Sequence, residues 1–155
     1  MLNLVLWRHA QAADGLPDDA RELTARGQRQ AQRMARWLRD RLPDDFEVLA
    51  SPTVRTRQTA RALVAEPRID ARLAPGAGVG DYLAAIDWPQ GPKRAQGTVV
   101  VVGDQPVIGR FASLLLSGAQ ADWSVAKGAV WWFATRSRGG DHEVVLRASI
   151  VPEML

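Results

Sequence analysis

Apolar residues recur along this chain in two rhythms. Residues 2–7 form an apolar run cut off by the polar pair Arg8-His9, the pattern of a buried strand at its carboxyl end. From Thr24 the rhythm changes: Ala31, Met34, Ala35, Leu38 and Leu42 fall at three- and four-residue steps, the stripe of a helix that Thr24 can cap and Pro43 stops. A second short run, 47–50, leads into Ser51-Pro52, read as a strand, an N-cap at Ser51, a proline in the first turn and a helix to residue 64. Between Pro67 and Gly97 prolines and glycines break the pattern around a short helix expected at 81–86. Thr98 and the four valines after it, set between Gly97 and Gly103, have the composition of a central strand covered on both faces. Ile108, Phe111, Ala112, Leu115 and Leu116 then line one side of a helix that Gly118 closes. Residues 130–135 and 143–149, joined through Arg138-Gly139-Gly140-Asp141, predict an antiparallel pair at a sheet edge. Within that pair Trp131 and Trp132 are read as strand residues, one facing the core and one outward.

Strands alternating with helices predict an α/β fold: a layered sheet, mostly parallel with antiparallel edge strands, and helices on both faces. The 155 residues are read as one domain, 1–155, long enough for a single core. An apolar share of 46% against 24% charged belongs to an ordinary globular chain and argues against long disordered segments. With no cysteine there is no disulfide framework and no thiolate metal site, which fits a reducing compartment. The first residues carry no basic leader, and no stretch approaches the ~18 apolar residues of a membrane span, so the expectation is cytoplasmic, away from membranes.

Charge changes this picture only locally. The net charge is +3 and the pI 10.1, because the cations are almost all arginine. Arg21, Arg26, Arg29, Arg33, Arg36, Arg39 and Arg41 crowd one stretch against only Glu22 and Asp40. This is read as a solvated helix face rather than a docking surface, and no nucleic-acid partner is expected.

Parallel sheets place ligands beyond the carboxyl ends of their strands. That rule selects Arg8-His9, the segment 51–55, and Gly103-Asp104-Gln105. At these places the residues resemble a known family. Arg8-His9-Ala10 is similar to the Arg-His-Gly signature of the histidine phosphatase superfamily, in the Arg-His-Ala form some members use. Leu23-Thr24-Ala25-Arg26-Gly27 resembles the Leu-Thr-x-x-Gly that opens the family's first helix. The stretch from Ser51 through Pro52, Arg55 and Gln58 to Thr59 resembles its Ser-Pro-x-x-Arg-x-x-Gln-Thr segment. Gly103-Asp104-Gln105-Pro106 resembles the later Gly-His-x-Pro turn, except that Asp104 stands where the family has its second histidine. The likeness spans nearly the whole chain and is strongest to SixA-type protein-phosphohistidine phosphatases.

The resemblance implies a cofactor-free, metal-free phosphatase in which His9 takes the phosphoryl group, Arg8 and Arg55 hold it, and Arg21 adds a further cation. The residues agree chemically. A neutral imidazole is a competent nucleophile near neutral pH, and rigid guanidinium forks match the charge that spreads over equatorial oxygens in phosphoryl transfer. Residues 73–80 hold no carboxylate to serve as the acid that phosphomonoester hydrolysis needs, which points to phosphohistidine, whose imidazole leaves readily. The implied partner is a phosphorylated protein such as a phosphohistidine-bearing phosphotransfer domain, and the expected state is a monomer. Three roles stay open for Asp104: orienting an arginine, donating a proton or hydrogen bond, or marking a catalytically impaired phosphohistidine binder. A small-molecule phosphomonoesterase is the remaining enzymatic alternative. Ser51 is read as a cap only, His142 as exposed in a turn region, and Gly76, Gly78 and Gly80 are given no phosphate-loop role.

Overall fold

The order of strands explains why distant motifs converge. In the computed structural model, which describes residues 1–93 and 95–155, six strands form one sheet in the order β3-β2-β4-β1-β5-β6. They are β1 (Asn3–Arg8), β2 (Glu47–Ala50), β3 (Arg68–Ile69), β4 (Thr98–Gly103), β5 (Val130–Arg138) and β6 (Asp141–Ile150). β1, β2, β3 and β4 run parallel, while β5 and β6 pair antiparallel at one side. The helices are α1 (Ala25–Arg39), α2 (Val54–Arg61), α3 (Val79–Ala85) and α4 (Val107–Ser117). This is the predicted mixed α/β sheet.

Strand alternation divides the core in two. Leu4 and Leu6 of β1, with Val99 and Val101 of β4, pack toward Tyr82 of α3 and Ile108 and Phe111 of α4. Val5 and Trp7, with Val100 and Val102, pack toward Ala31, Met34 and Leu38 of α1 and Ala60 of α2. The valine strand is therefore buried along its whole length, as its composition predicts. Truncating one of these side chains, Met34→Ala for example, costs about 2–5 kcal/mol by lost transfer energy and the cavity left behind.

Local chemistry sets the ends of the elements. Thr24 accepts the amide of Gly27 at 3.0 Å and starts α1, and a Cβ on Gly27 would collide with the carbonyl of Gln11, so only glycine lets the helix approach the segment after β1. Gly103 is likewise required, because a Cβ there would meet the buried hydroxyl of Tyr82. Gly139 (φ 56°) and Gly140 (φ 90°) form a two-residue turn that lets the β5–β6 ladder run to Arg138 and Asp141, beyond the predicted strands.

Four expectations need correction. Ser51 is not the helix cap: α2 starts at Val54 under Thr53, whose side chain accepts the amide of Thr56. The same helix stops at Arg61 rather than residue 64, with Leu63 and Val64 closing it through bonds to the carbonyl of Ala60. α3 begins at Val79, two residues early: Asp81 is its third residue, and its carboxylate reaches back to accept the amide of Gly78, the residue before the helix. Neither tryptophan of β5 faces outward, since both faces of the sheet are covered. Trp131 lies against Trp123 at 5.9 Å between ring centroids, and Trp132 meets Trp37 edge-on at 6.2 Å.

Candidate active site

β2, β4 and β1 are neighbours, so their carboxyl ends lie side by side and carry Ser51, Asp104 and His9 to one place. Backbone bonds weld these ends together: the amide of His9 donates to the Gly103 carbonyl and that of Ser51 to the Val102 carbonyl, each at 3.1 Å. Loop 125–129 closes behind them. The Gly128 amide donates to the carbonyls of Arg8 and His9, and the indole Nε1 of Trp7 donates to the Gly128 carbonyl at 3.1 Å.

His9 is only 6% exposed. Its Nδ1 lies 2.7 Å from the carbonyl oxygen of Ala10. A carbonyl can only accept, so Nδ1 carries the proton and the lone pair is on Nε2. That atom faces Asp104, with Oδ1 at 3.8 Å. Burial pushes the His9 pKa down to about 4, Arg8 and Arg55 add to the shift, and the Ala10 carbonyl and Asp104 oppose it. At neutral pH the ring is uncharged and its free nitrogen is available.

Arg55 sits in the first turn of α2 and is 4% exposed. Its Nε and Nη2 both lie 2.8 Å from Asp104 Oδ1. Asp104 Oδ2 accepts the hydroxyl of Ser51 at 3.1 Å. Asp104, itself 4% exposed, thus ties Arg55, Ser51 and the Nε2 side of His9 into one cluster. The other fork of Arg55 is filled from a different quarter: Nη1 donates to the backbone carbonyl of Asp18 at 2.9 Å and Nη2 to its Oδ2 at 3.1 Å.

Arg8 is half-buried beside this cluster. Its Nη1 donates to the Val125 carbonyl at 2.7 Å, while its buried Nε has no hydrogen-bond partner among the described residues. Desolvation lowers its pKa, with Asp104 opposing and Arg55 adding to the shift. A buried donor without an acceptor is costly, and an anion between Arg8 and Arg55 would satisfy it. No hydrogen bond joins Arg8 to Asp104 among the described residues, so the carboxylate orients one arginine, not two.

Arg21 is brought near but not onto the cluster. Its Nε donates to Asp18 Oδ1 at 3.0 Å, which leaves Asp18 between it and Arg55. His142 is exposed on β6, away from His9. Gln105 turns out to be structural, receiving the amide of Gly109 and donating to the Trp123 carbonyl.

Sequence reasoning missed the supports. Thr59 Oγ1 accepts the Ala10 amide at 3.1 Å and donates to the Arg55 carbonyl at 2.8 Å, coupling the loop after β1 to α2. Gln58 accepts the Leu23 amide at 2.7 Å. Both were visible as the Gln-Thr end of a motif, but nothing in their spacing told which partner each would take. Asp18, in an exposed turn, carried no signal at all.

These residues agree with what the chain is similar to. It matches the histidine phosphatase superfamily (branch 1) over residues 4–76. An uncharacterised protein of Picosynechococcus sp. is 34% identical over 127 residues, covering 76% of this chain and 74% of that one. The protein histidine phosphatase SixA in complex with tungstate shares the fold with a TM-score of 0.80 at 22% identity, over 99% of each chain. A SixA structure from Nakamurella multipartitia shares it with a TM-score of 0.72 at 29% identity, over 97% of each. Phosphatases of small molecules have the same fold at lower identity, so fold alone does not select the substrate. No helix among the described residues is long and apolar enough to cross a membrane. With motifs, sheet and relatives in agreement, the chain belongs to the histidine phosphatase superfamily, as a SixA-like member.

Proposed function

We propose that the chain is a cofactor-independent protein phosphohistidine phosphatase working through a phospho-His9 intermediate. The observation that carries this reading is the free Nε2 of a buried, neutral His9 facing the Arg55–Asp104 pair. Nε2 attacks phosphorus in line, a new P–N bond forms, and the P–N bond to the substrate's imidazole breaks. That imidazole leaves as a neutral ring after taking a proton from solvent. Water then attacks phospho-His9, the second P–N bond breaks, and orthophosphate departs while the ring regains its lone pair. Arg8 and Arg55 balance the charge on the equatorial oxygens in both steps.

Leaving-group chemistry supports phosphohistidine over a phosphomonoester. Oδ1 of Asp104 accepts from Arg55 and Oδ2 accepts from Ser51, so neither oxygen is arranged to deliver a proton to a departing alkoxide. Imidazole needs less help. The physiological partner on this reading is a phosphohistidine-bearing phosphotransfer domain, with the protein acting as a cytoplasmic monomer.

The test is incubation with a phosphotransfer domain phosphorylated on histidine, alongside an aryl phosphate. The expected result is release of phosphate from the protein substrate and an acid-labile, base-stable phosphoryl group mapped to His9. A phosphoryl group on another residue, or release by His9→Ala at the wild-type rate, overturns the mechanism. One observation favours a second reading, an impaired phosphohistidine binder: a carboxylate oxygen lies 3.8 Å from the nucleophilic nitrogen where the family has histidine. Binding of the phosphorylated domain without turnover would select it.

A further inference from the structure

The guanidinium of Arg55 offers two forks to an oxygen ligand, and both are filled by this chain. Asp104 Oδ1 takes the Nε/Nη2 side at 2.8 Å to each nitrogen, and Asp18 takes the Nη1/Nη2 end, with its carbonyl at 2.9 Å and its Oδ2 at 3.1 Å. A phosphoryl group that engages Arg55 bidentately must displace one of them.

The two carboxylates differ in how easily they move. The Asp104 side chain is 6% exposed and anchored at its second oxygen by Ser51, whereas that of Asp18 is 53% exposed. Asp18 opens a three-residue 3₁₀ turn, Asp18–Ala20, that buries no side chain, in a segment exposed from residue 13 to residue 20. Besides the arginine bonds to Asp18 and to the Ala13 carbonyl, what holds that segment is at its ends: the Ala12–Leu23 bridge and the Ala13 amide on the Glu22 carbonyl. Segments with few buried contacts open at low cost, and breaking a half-exposed ion pair costs little. Although desolvation opposes it, Arg55 and then Arg21 hold the Asp18 carboxyl below its ordinary range, so it is ionised wherever the enzyme would work.

We propose that Asp18 sets phosphate affinity: it occupies the end-on fork of Arg55 as an internal stand-in for phosphoryl oxygens, and substrate must displace it. This rests on the phosphatase function proposed above. Every ligand pays the displacement equally, so it weighs most on those whose only contact is the phosphoryl group. Free orthophosphate and small phosphate esters are held back. A phosphoprotein meets the same cost with contacts its surface makes elsewhere. Arg21, tied to Asp18 Oδ1 at 3.0 Å, offers the displaced carboxylate a partner other than Arg55.

The alternative is that Asp18 merely positions Arg55, and the two roles predict opposite signs. Titration calorimetry with tungstate and orthophosphate on wild type, Asp18→Asn and Asp18→Ala reads the difference without requiring turnover, so it separates this proposal from the phosphatase reading. Asp19→Asn, a neighbouring exposed carboxylate, controls for net charge. Displacement predicts tighter anion binding in both Asp18 variants, by about five-fold, the scale of a ~1 kcal/mol ion pair, with Asp19→Asn close to wild type. It also predicts that kcat/KM rises by a similar factor for an aryl phosphate and a phosphohistidine protein, with the change in KM, because both displace the same carboxylate. Unchanged or weaker anion binding, an equal effect of Asp19→Asn, or a gain confined to one of the two substrates overturns it.

Discussion

Replacing Asp104 is the perturbation that separates help from hindrance at this site. Its charge repels an incoming phosphoryl group by ~4 kcal/mol for unit charges ~4 Å apart at an effective dielectric of ~20. Against this stands what the carboxylate holds: Arg55 at 2.8 Å through two nitrogens and Ser51 at 3.1 Å, all inside a buried cluster. A hydrogen bond to a charged group contributes ~1.5–3 kcal/mol, and removing one member of a buried pair costs ~3–5 kcal/mol because the other charge is stranded. The attraction of a fixed Arg55 for the phosphoryl group is of the same order as the repulsion, so relieving the repulsion helps only if Arg55 stays in place without its partner. A misplacement of ~1 Å can cost ~100-fold in rate. Asp104→Asn keeps an acceptor toward Arg55 but loses its charge, and Asp104→His replaces the carboxylate with a bulkier ring. Both are expected to lower turnover of a phosphohistidine protein, by roughly 10-fold for Asn and roughly 100-fold for His, and both to lower the melting temperature. Steady-state rates, tungstate affinities and thermal melts on the three proteins decide the matter. A faster Asp104→His enzyme together with tighter tungstate binding by Asp104→Asn would refute the orienting role and leave Asp104 as a handicap.

His9→Ala should abolish phosphate release while tungstate binding and the circular dichroism spectrum persist; retained turnover counts against the nucleophile. Arg55→Ala should weaken tungstate by roughly 10- to 100-fold, the loss expected for charge-assisted bonds, and unchanged affinity would return Arg55 to a structural role. Activity should survive exhaustive chelation, and recovery of lost activity on adding zinc or magnesium would contradict a metal-free mechanism. The pH dependence follows from His9, whose folded pKa of about 4 lies below its ordinary 6.5. As pH falls the unfolded chain takes up the proton first, so stability is lost from about pH 6.5 down to about pH 4, by roughly 3 kcal/mol in all. The acid limb of kcat/KM should likewise fall near pH 4; a limb near 6.5, or the same stability loss in His9→Ala, would show that His9 is not the buried neutral group described.

Much of this molecule was legible because single residues had unambiguous physics. Four adjacent valines have one natural place, the covered middle of a parallel sheet, and β4 is there. Thr24, Gly27 and the stripe through Leu38 describe one helix with one buried side, as α1 has. His9, Arg55 and Asp104 could be brought together from strand ends alone, since parallel strands put their carboxyl ends on one edge. What stayed hidden depends on tertiary partners. Ser51 reads as a cap in any Ser-Pro context, and only the neighbouring strand reveals that its hydroxyl serves Asp104. Trp131 and Trp132 alternate as any strand pair does, but whether the second face is open depends on α1 packing there, which alternation cannot report. β3 is two exposed residues long and leaves no hydrophobic period. Asp18 looks like any acidic loop residue until Arg55 is placed beneath it.

The departure from the family pattern and the missed loop residue have one electrostatic consequence. Around a neutral His9 stand two guanidinium groups, Arg8 and Arg55, and two carboxylates, Asp104 and Asp18. A histidine at 104 would leave the arginines balanced by Asp18 alone, and a phosphoryl group would enter an excess of positive charge. Here, on the proposed displacement, that excess appears only when Asp18 withdraws, because Asp104 is anchored within the site. On the displacement proposed above, ground-state affinity for a bare phosphoryl group is held low, while the donors proposed for the transition state, Arg55 Nη1 and Nη2 and the Nε of Arg8, which has no partner among the described residues, stay in position. Weak binding of the reactant with donors kept for the transition state raises the rate at high substrate rather than the affinity. A site balanced in this way should show a KM set mainly by the protein surface that carries the phosphohistidine.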